Sequence, residues 1–415
     1  MLDLKAIRQE PDAARGALAR RGEGAADTLD RVLELDTRRR ALLPELETLR
    51  AEKNVASKQI GELQRDGADA SEAIAQVKQA SEREKQLDSE LREVQSELDA
   101  GMLSLPNLPD ETAAPEDTVL REVGQAGAAG RDHTELLGDL VDLEAGARVA
   151  GSRFAYIKGP LVMLELALVR WALEELSDRG FEPVIPPVLV REEALVGTGQ
   201  LPDTEQQIYR VPDDDLYLAG TSEVPLASLH AGQVLEEEGL PRRYAGFSPC
   251  FRREAGAAGK DTRGLFRVHQ FDKVEMFAFV TPEQSGAEHE RLVAIEEGLM
   301  QALGLAYRVV NIAVDDLGSS AAKKYDIEVW LPGQERYREL TSCSDTTDFQ
   351  ARRLDIRYRP REGKGTRHVH TLNGTAVAVG RTIIALVENG QQEDGSVVLP
   401  EVLRAYGAPE RIEPQ

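Results

Sequence analysis

Between about Asp27 and Leu63, apolar residues return at Val32, Leu35, Leu42, Leu46 and Leu49 against a background of Ala, Glu, Arg and Lys. Steps of three, four and seven predict a long helix with one apolar stripe near the coiled-coil period. The run GELQRDGADAS then supplies two glycines and several turn-forming residues. A second stripe, Ile74, Val77, Leu87, Leu91, Val94 and Leu98, predicts a return helix to about Ala100. Two helices of ~35 residues joined by a short turn make an antiparallel coiled-coil hairpin roughly 50 Å long. By pattern alone, such a hairpin is a dimerising stalk or a solvated helix pair.

The pattern changes at LSLPNLPDETAAPEDT, which carries three prolines and reads as a linker over 103–118. It divides the chain into an N-terminal domain, 1–102, and a second domain, 119–415. In the second domain the apolar runs YRVVNIAV, DIEVWLP and TIIALVEN read as strand-like, between Gly/Pro turns and a few helices at 160–179 and 283–303. That mixture predicts an α+β domain on a largely antiparallel sheet.

Composition narrows the function. The chain has 415 residues, 41% of them hydrophobic and 30% charged, enough for a buried core in more than one domain. A net charge of −23 argues against broad adhesion to DNA or to membranes. Two cysteines, Cys250 and Cys343, with no CxxC pair and no metal-type histidine spacing, make a disulfide scaffold or structural zinc a poor expectation and suit a reducing cytoplasm. Both are expected to pack as small residues. The start lacks the apolar core of a signal peptide. The most apolar stretch, 161–176, is broken by Glu165 and Arg170 and reads as an amphipathic helix.

Candidate chemistry concentrates in FRREAGAAGKDTRGLFRVHQFDKVE, residues 251–275. It is no Walker loop, yet arginine forks beside small residues suit a polyphosphate. If Phe251–Glu254 lies on one strand and Arg267–Phe271 on the next, alternation puts Arg252 with Glu254, and Arg267 with Phe271 and Glu275, on one pocket-facing side. His269 is expected to orient the strand. In RGFEPVIPPVLV a helix ends at Gly180 and a strand follows. In TLNGTAVAVGRTIIALVEN small residues lead to Arg381 at a helix start.

Read together, these three segments resemble motifs 1, 2 and 3 of the class II aminoacyl-tRNA synthetases. The further stretches GTGQLP, TSEVPL, YDIEVWLPGQERYRELTSCS, DFQARR and HTLNGTAVAVGR resemble the seryl-tRNA synthetases, along nearly the whole chain. The resemblance implies a class II synthetase domain behind a hairpin that reaches the long variable arm of its tRNA. It implies a cytoplasmic homodimer joined through motif 1, with L-serine, ATP and Mg2+ at the site. The acceptor is tRNA(Ser) and, in a host that makes selenocysteine, tRNA(Sec).

By the same resemblance Arg252 grips the α-phosphate and Arg267 the outer phosphates. Phe271 stacks one face of adenine, Arg381 covers the other, and Glu254 reads the amino group. Arg253, Val268, Leu340 and Thr341 fall in the ATP-binding stretches, although alternation turns Arg253 away from the ATP face. Glu339 and Ser342 are implied magnesium ligands, hard oxygens suited to an ion that keeps phosphate and water as its other partners. Thr221, Ser222, Glu223, Arg252, Glu275, Asn373 and Thr375 are implied around serine. Arg252, Glu339 and Arg381 are the catalytic set, and the loop between the arginines is expected to shift to admit the tRNA end. On the hairpin, Arg50, Lys53, Lys58, Arg65, Lys78 and Arg83 are implied tRNA contacts.

Two residues depart from the family pattern. Ser222 stands where alanine is more common, and Thr375 where serine is usual. A methyl group changes selectivity by only ~1–3 kcal/mol, so serine remains the expected substrate. A carrier-protein ligase of the same ancestry would dispense with the hairpin. A noncatalytic relative would lose Arg252, Glu339 or Arg381. A self-resistance copy of the enzyme would look alike.

Overall fold

The structure is a computed structural model and describes residues 1–202, 205–255 and 264–415. Most of the Gly/Ala loop expected to shift, 256–263, lies outside the described residues. The chain forms two compact units, Leu2–Pro106 and Asn107–Gln415 with Met1.

In the first unit, short helices α1 (Leu4–Gln9) and α2 (Pro11–Ala19) precede the hairpin of α3 (Glu23–Arg65) and α4 (Ser71–Ser104). The expected stripe is buried at Val32, Leu35, Leu42 and Leu46 and, on the return, at Leu87, Val94 and Leu98. Burial fades toward the turn, where Val55 and Ile74 are exposed. There the two helices are tied by charge: Arg50 meets Glu84 and Asp88 at 3.0 and 2.8 Å, Lys53 pairs with Glu84, and Arg83 meets Glu45 at 2.8 Å.

The stretch expected as a linker is not a free tether. Leu103 and Ser104 close α4, and from Asn107 onward the stretch is part of the second unit. Asn107 Nδ2 donates to the carbonyls of Ser320 and Thr346, both at 2.9 Å, and Ala113 is buried with Val310, Ile312 and Leu317. Prolines remove donors without removing carbonyl and side-chain anchors, so a Pro-rich segment can still be held fast.

The second unit is built on an eight-stranded sheet. Its strands are β1 (Thr118–Val123), β2 (Glu182–Val184), β3 (Arg242–Phe251), β4 (Gln270–Val280), β5 (Tyr307–Asn311), β6 (Lys323–Leu331), β7 (Arg336–Asp345) and β8 (His370–Ala378), in spatial order β1-β5-β6-β7-β8-β4-β3-β2. Every pairing is antiparallel except β2 on β3. The long helices α5 (Pro160–Asp178) and, later, α7 (Ser285–Ala302) bury Leu164, Leu168, Trp171, Leu292 and Leu299 in the core. Short helices α6 (Glu223–Ala227) and α8 (Phe349–Arg353) lie between strands, and α9 (Val379–Gly390) follows β8.

Two sequence expectations fail for tertiary reasons. TIIALVEN is helix, not strand. Thr382, Ile383, Ile384, Ala385, Leu386 and Val387 are all buried, so packing on every side outweighs the preference of β-branched residues for strands. The strand expected to run through Glu254 also ends at Phe251: Arg252 to Glu254 follow it irregularly, Glu254 has φ +49°, and β4 begins only at Gln270. Alternation therefore does not place Arg252, Glu254 or Arg267. Among the described residues, no helix is long and apolar enough to cross a membrane.

Candidate active site

Four neighbouring strands place side chains on one face of the sheet. In β8, Asn373 and Thr375 share that face, two residues apart, and Glu275 of β4 pairs with Thr375. Gly374 between them faces helix α7, where an added Cβ would stand 2.8 Å from Glu296 Oε1. Strand β7 contributes Glu339 and Ser342, and β6 contributes Lys324. With Arg252, Glu254, residues 265–268 and the start of α9, these side chains enclose a cavity of about 460 Å3, a size suited to a small-molecule site.

The cavity has two chemical ends. At the cationic end Arg252, Arg267, Arg381 and Lys324 line the wall. Arg252 Nε donates to the Gly220 carbonyl at 3.0 Å, and its guanidinium lies 5.3 Å from the Phe271 ring centre. Arg267 pairs with Glu254 at 2.7 Å. Arg381 donates to the Glu339 carbonyl at 3.1 Å and covers the Phe266 ring at 4.8 Å. Burial lowers the Arg381 pKa, Arg252 and Arg267 add to this, and Glu339 opposes it. Burial alone would raise the Glu339 carboxyl, but Arg381, Lys324 and Arg252 hold it below its usual range. Half of its side chain remains open to the cavity.

At the other end carboxylates and hydroxyls meet. Asn373 Nδ2 donates to Glu275 Oε1 at 3.2 Å, and Thr375 Oγ1 lies 3.5 Å from Glu275 Oε2. Glu223 accepts from Gln350 Nε2 at 2.7 Å. Burial and the Glu275 charge push the Glu223 carboxyl up to about 7, with Gln350, Lys273 and Arg252 opposing them. Lys273, buried between the two sets, pairs with Glu275 and donates to Thr221 Oγ1 at 2.6 Å.

Of the residues implied around ATP, serine and magnesium, Thr221, Glu223, Arg252, Glu254, Arg267, Val268, Phe271, Glu275, Glu339, Leu340, Thr341, Ser342, Asn373, Thr375 and Arg381 line this cavity. Two do not. Ser222 is fully buried against Ser248, with 2.8 Å between the hydroxyls, and Arg253 is exposed. Lys273 lines the cavity as well and shares the alternation that selects Phe271 and Glu275, a signal in the sequence that points to it. Lys324 and Phe266 also line it without a local signal of their own, and Gln200 lines it from the GTGQLP stretch. His269 packs on Phe154 and bonds the Arg252 carbonyl at 2.8 Å. Cys250 and Cys343 are buried thiols whose pKa burial raises.

One histidine–carboxylate group, Asp132, His133 and Glu388, stands elsewhere among the described residues. Glu388 already accepts from His133 and from the Gly333 amide at 2.9 Å each, which makes it an internal brace.

An antiparallel sheet carrying arginines from a strand–loop–strand and from a following helix is the core of a class II aminoacyl-tRNA synthetase. Residues 208–390 match the tRNA synthetase class II core domain (G, H, P, S and T), and residues 1–109 match the seryl-tRNA synthetase N-terminal domain. The chain is 46% identical to the serine–tRNA ligase of Symbiobacterium thermophilum, with 100% of both chains covered. It is 48% identical to that of Streptomyces coelicolor, covering 100% of this chain and 99% of the relative. The crystal structure of seryl-tRNA synthetase from Pyrococcus horikoshii complexed with ATP superposes at a TM-score of 0.93, with 42% identity and 100% of both chains covered. The chain belongs to the seryl-tRNA synthetase family.

Proposed function

We propose that this protein activates L-serine with ATP and transfers the seryl group to the 3′ end of tRNA(Ser), and to tRNA(Sec) where the host makes one. The observation that carries the reading is the two-ended cavity. In a chain of net charge −23, three guanidiniums and a lysine converge on one end, and carboxylates with hydroxyls on the other.

The serine carboxylate attacks the α-phosphorus of ATP and the bond to pyrophosphate breaks. The ribose hydroxyl at the tRNA end then attacks the seryl carbonyl and AMP leaves. Neither step needs an enzyme nucleophile, so the residues act by placement and charge. Arg252 is set to hold the α-phosphate, where charge builds, and Arg267 the departing phosphates. Phe271 and Arg381 bracket adenine, each releasing its present aromatic or guanidinium partner to do so, and Glu254 reads its amino group. Glu275 and Thr375 take the substrate hydroxyl, and Glu223 the ammonium.

Glu339 and Ser342 fit magnesium by their donor chemistry. Both offer hard oxygens to the cavity, and Asp326, opposite Ser342, keeps a buried Oδ1 without a partner. These residues would hold the ion, which when bound neutralises phosphate charge.

The exposed Val162, Met163 and Leu166 of α5 support a homodimer through that face, and the family supports a cytoplasmic location.

Serine-dependent exchange of pyrophosphate into ATP, followed by charging of total tRNA, tests the reading. Exchange with serine far exceeding that with threonine, alanine or cysteine is expected. Equal exchange with threonine sinks the substrate assignment.

A further inference from the structure

The Thr221 hydroxyl lies at the junction of the cavity's two ends, and its bonds restrict what it can do. Its oxygen accepts from the Glu223 amide at 3.1 Å and from Lys273 Nζ at 2.6 Å. A hydroxyl has two lone pairs and one proton. Both lone pairs are taken by groups that only donate, so Thr221 has only its proton to offer. Among the described residues no acceptor takes that proton, and Thr221 faces the cavity. An ammonium cannot receive it. A carboxylate, acyl, phosphate or hydroxyl oxygen can, and among the groups of a bound amino acid the charged carboxylate is the strongest acceptor.

We propose that Lys273 is a positioning residue that, by occupying Thr221 together with the Glu223 amide, turns the Thr221 hydroxyl into a donor to the carboxylate oxygen of the bound amino acid. This rests on the reading of the site as an amino-acid-activating pocket and sharpens it. Thr221 belongs with Arg252 on the carboxylate side, whereas Glu223 and Glu275 face the ammonium and hydroxyl. The arrangement needs a buried cation at residue 273. Lys273 also pairs with Glu275, which keeps the two carboxylates of the pocket from facing each other unscreened. After activation the same substrate oxygen is the carbonyl of the adenylate, so the donor stays useful for the attack by tRNA.

Thr221→Val keeps the shape and removes the donor. Its serine KM in pyrophosphate exchange should rise about 10- to 100-fold, the scale of a lost bond to a charged group. Inhibition by glycerate, which keeps the carboxylate and lacks the ammonium, should weaken in parallel. Inhibition by serinol, which keeps the ammonium and lacks the carboxylate, should stay within about twofold of wild type on the same argument. Thr221→Ser restores the donor and should restore serine binding.

Lys273→Met should raise the serine KM while leaving the KM for ATP unchanged. It should also move the acid limb of kcat/KM for serine to higher pH. Glu223 faces Glu275, Arg252, Gln350 and Lys273, and loses one of the cations that hold its pKa down. Serinol and serine weakening together in Thr221→Val overturns the proposal. So does a Lys273→Met enzyme with the wild-type serine KM and pH profile, which keeps the idea testable should the valine variant misfold. A wild type inactive with serine overturns the functional reading and this proposal with it. A wild type active with serine but failing the serinol comparison overturns this proposal alone.

Discussion

Arg381 illustrates how far residue chemistry alone decides a role. Its guanidinium lies over the Phe266 ring and reaches the Glu339 carbonyl at once, which a lysine ammonium does not reproduce. Arg381→Lys keeps the charge and loses the plane, so the KM for ATP in exchange should rise about tenfold or more, the worth of a desolvated cation–π contact. A folded lysine variant with wild-type exchange would falsify the clamp. Glu339→Ala removes the carboxylate proposed to hold magnesium and should shift the magnesium dependence of exchange to higher concentration; an unchanged dependence excludes the metal role. Glu223 links function to stability. Its carboxyl rises from 4.5 to about 7 on folding, so the folded state holds a proton that the unfolded state has lost. Stability therefore falls as pH climbs from 4.5 to about 7 and stays reduced above that, by at most about 3 kcal/mol for this shift. Glu223→Gln should melt higher than wild type at pH 8, with the gap closing at pH 5, and should activate serine poorly. Equal melting at both pH values would show that the carboxyl is not strained. Most of this site was legible as motifs, since Arg252, Phe271, Glu275 and Arg381 stand in stretches with strong residue signatures. Lys273 was legible too, by alternation. Phe266 and Lys324 were not, because their roles come from a loop and a strand meeting in space.

At the scale of elements, periodicity found the hairpin and its buried stripe but could not say which cations were already engaged. Of the six candidate tRNA contacts, Arg50, Lys53 and Arg83 bind acidic residues of the opposite helix. Lys58, Arg65 and Lys78 are exposed nearer the turn, and no ion pair joins them to the described residues. A pattern of charges reads the same in both cases, since pairing across a hairpin depends on register. The two sets should separate in experiment. Neutralising Lys58, Arg65 and Lys78 should raise the tRNA KM and flatten its salt dependence, as expected when phosphate contacts are lost. Neutralising Arg50, Lys53 and Arg83 should lower the melting temperature of the hairpin, each exposed pair contributing about 0–1 kcal/mol. A salt dependence that flattens only with the second set would reverse the assignment. The strand end at Phe251 and the helix at Val379–Gly390 were missed for a related reason. A positive φ at Glu254 and burial on every side of α9 are consequences of tertiary packing, which local preference does not encode.

At the scale of the molecule, the chain passes from one compact unit to the other between Pro106 and Asn107. Every residue lining the cavity lies in the second unit, and the segment after the junction is anchored to that unit through Asn107 and Ala113. Replacing residues 28–99 with a short flexible linker therefore removes no side chain from the cavity and spares the anchored segment. Serine-dependent exchange should persist close to the wild-type rate. Charging of tRNA should collapse, because the proposed reach to the long variable arm is gone. The dimer proposed through α5 should survive, since Val162, Met163 and Leu166 lie outside the deletion. A dimerising stalk predicts the opposite, a monomer in which both reactions fail. Sizing the variant and measuring the two reactions separates these outcomes. A dimer that activates serine and cannot charge tRNA assigns the hairpin to recognition, and full charging without the hairpin removes that role.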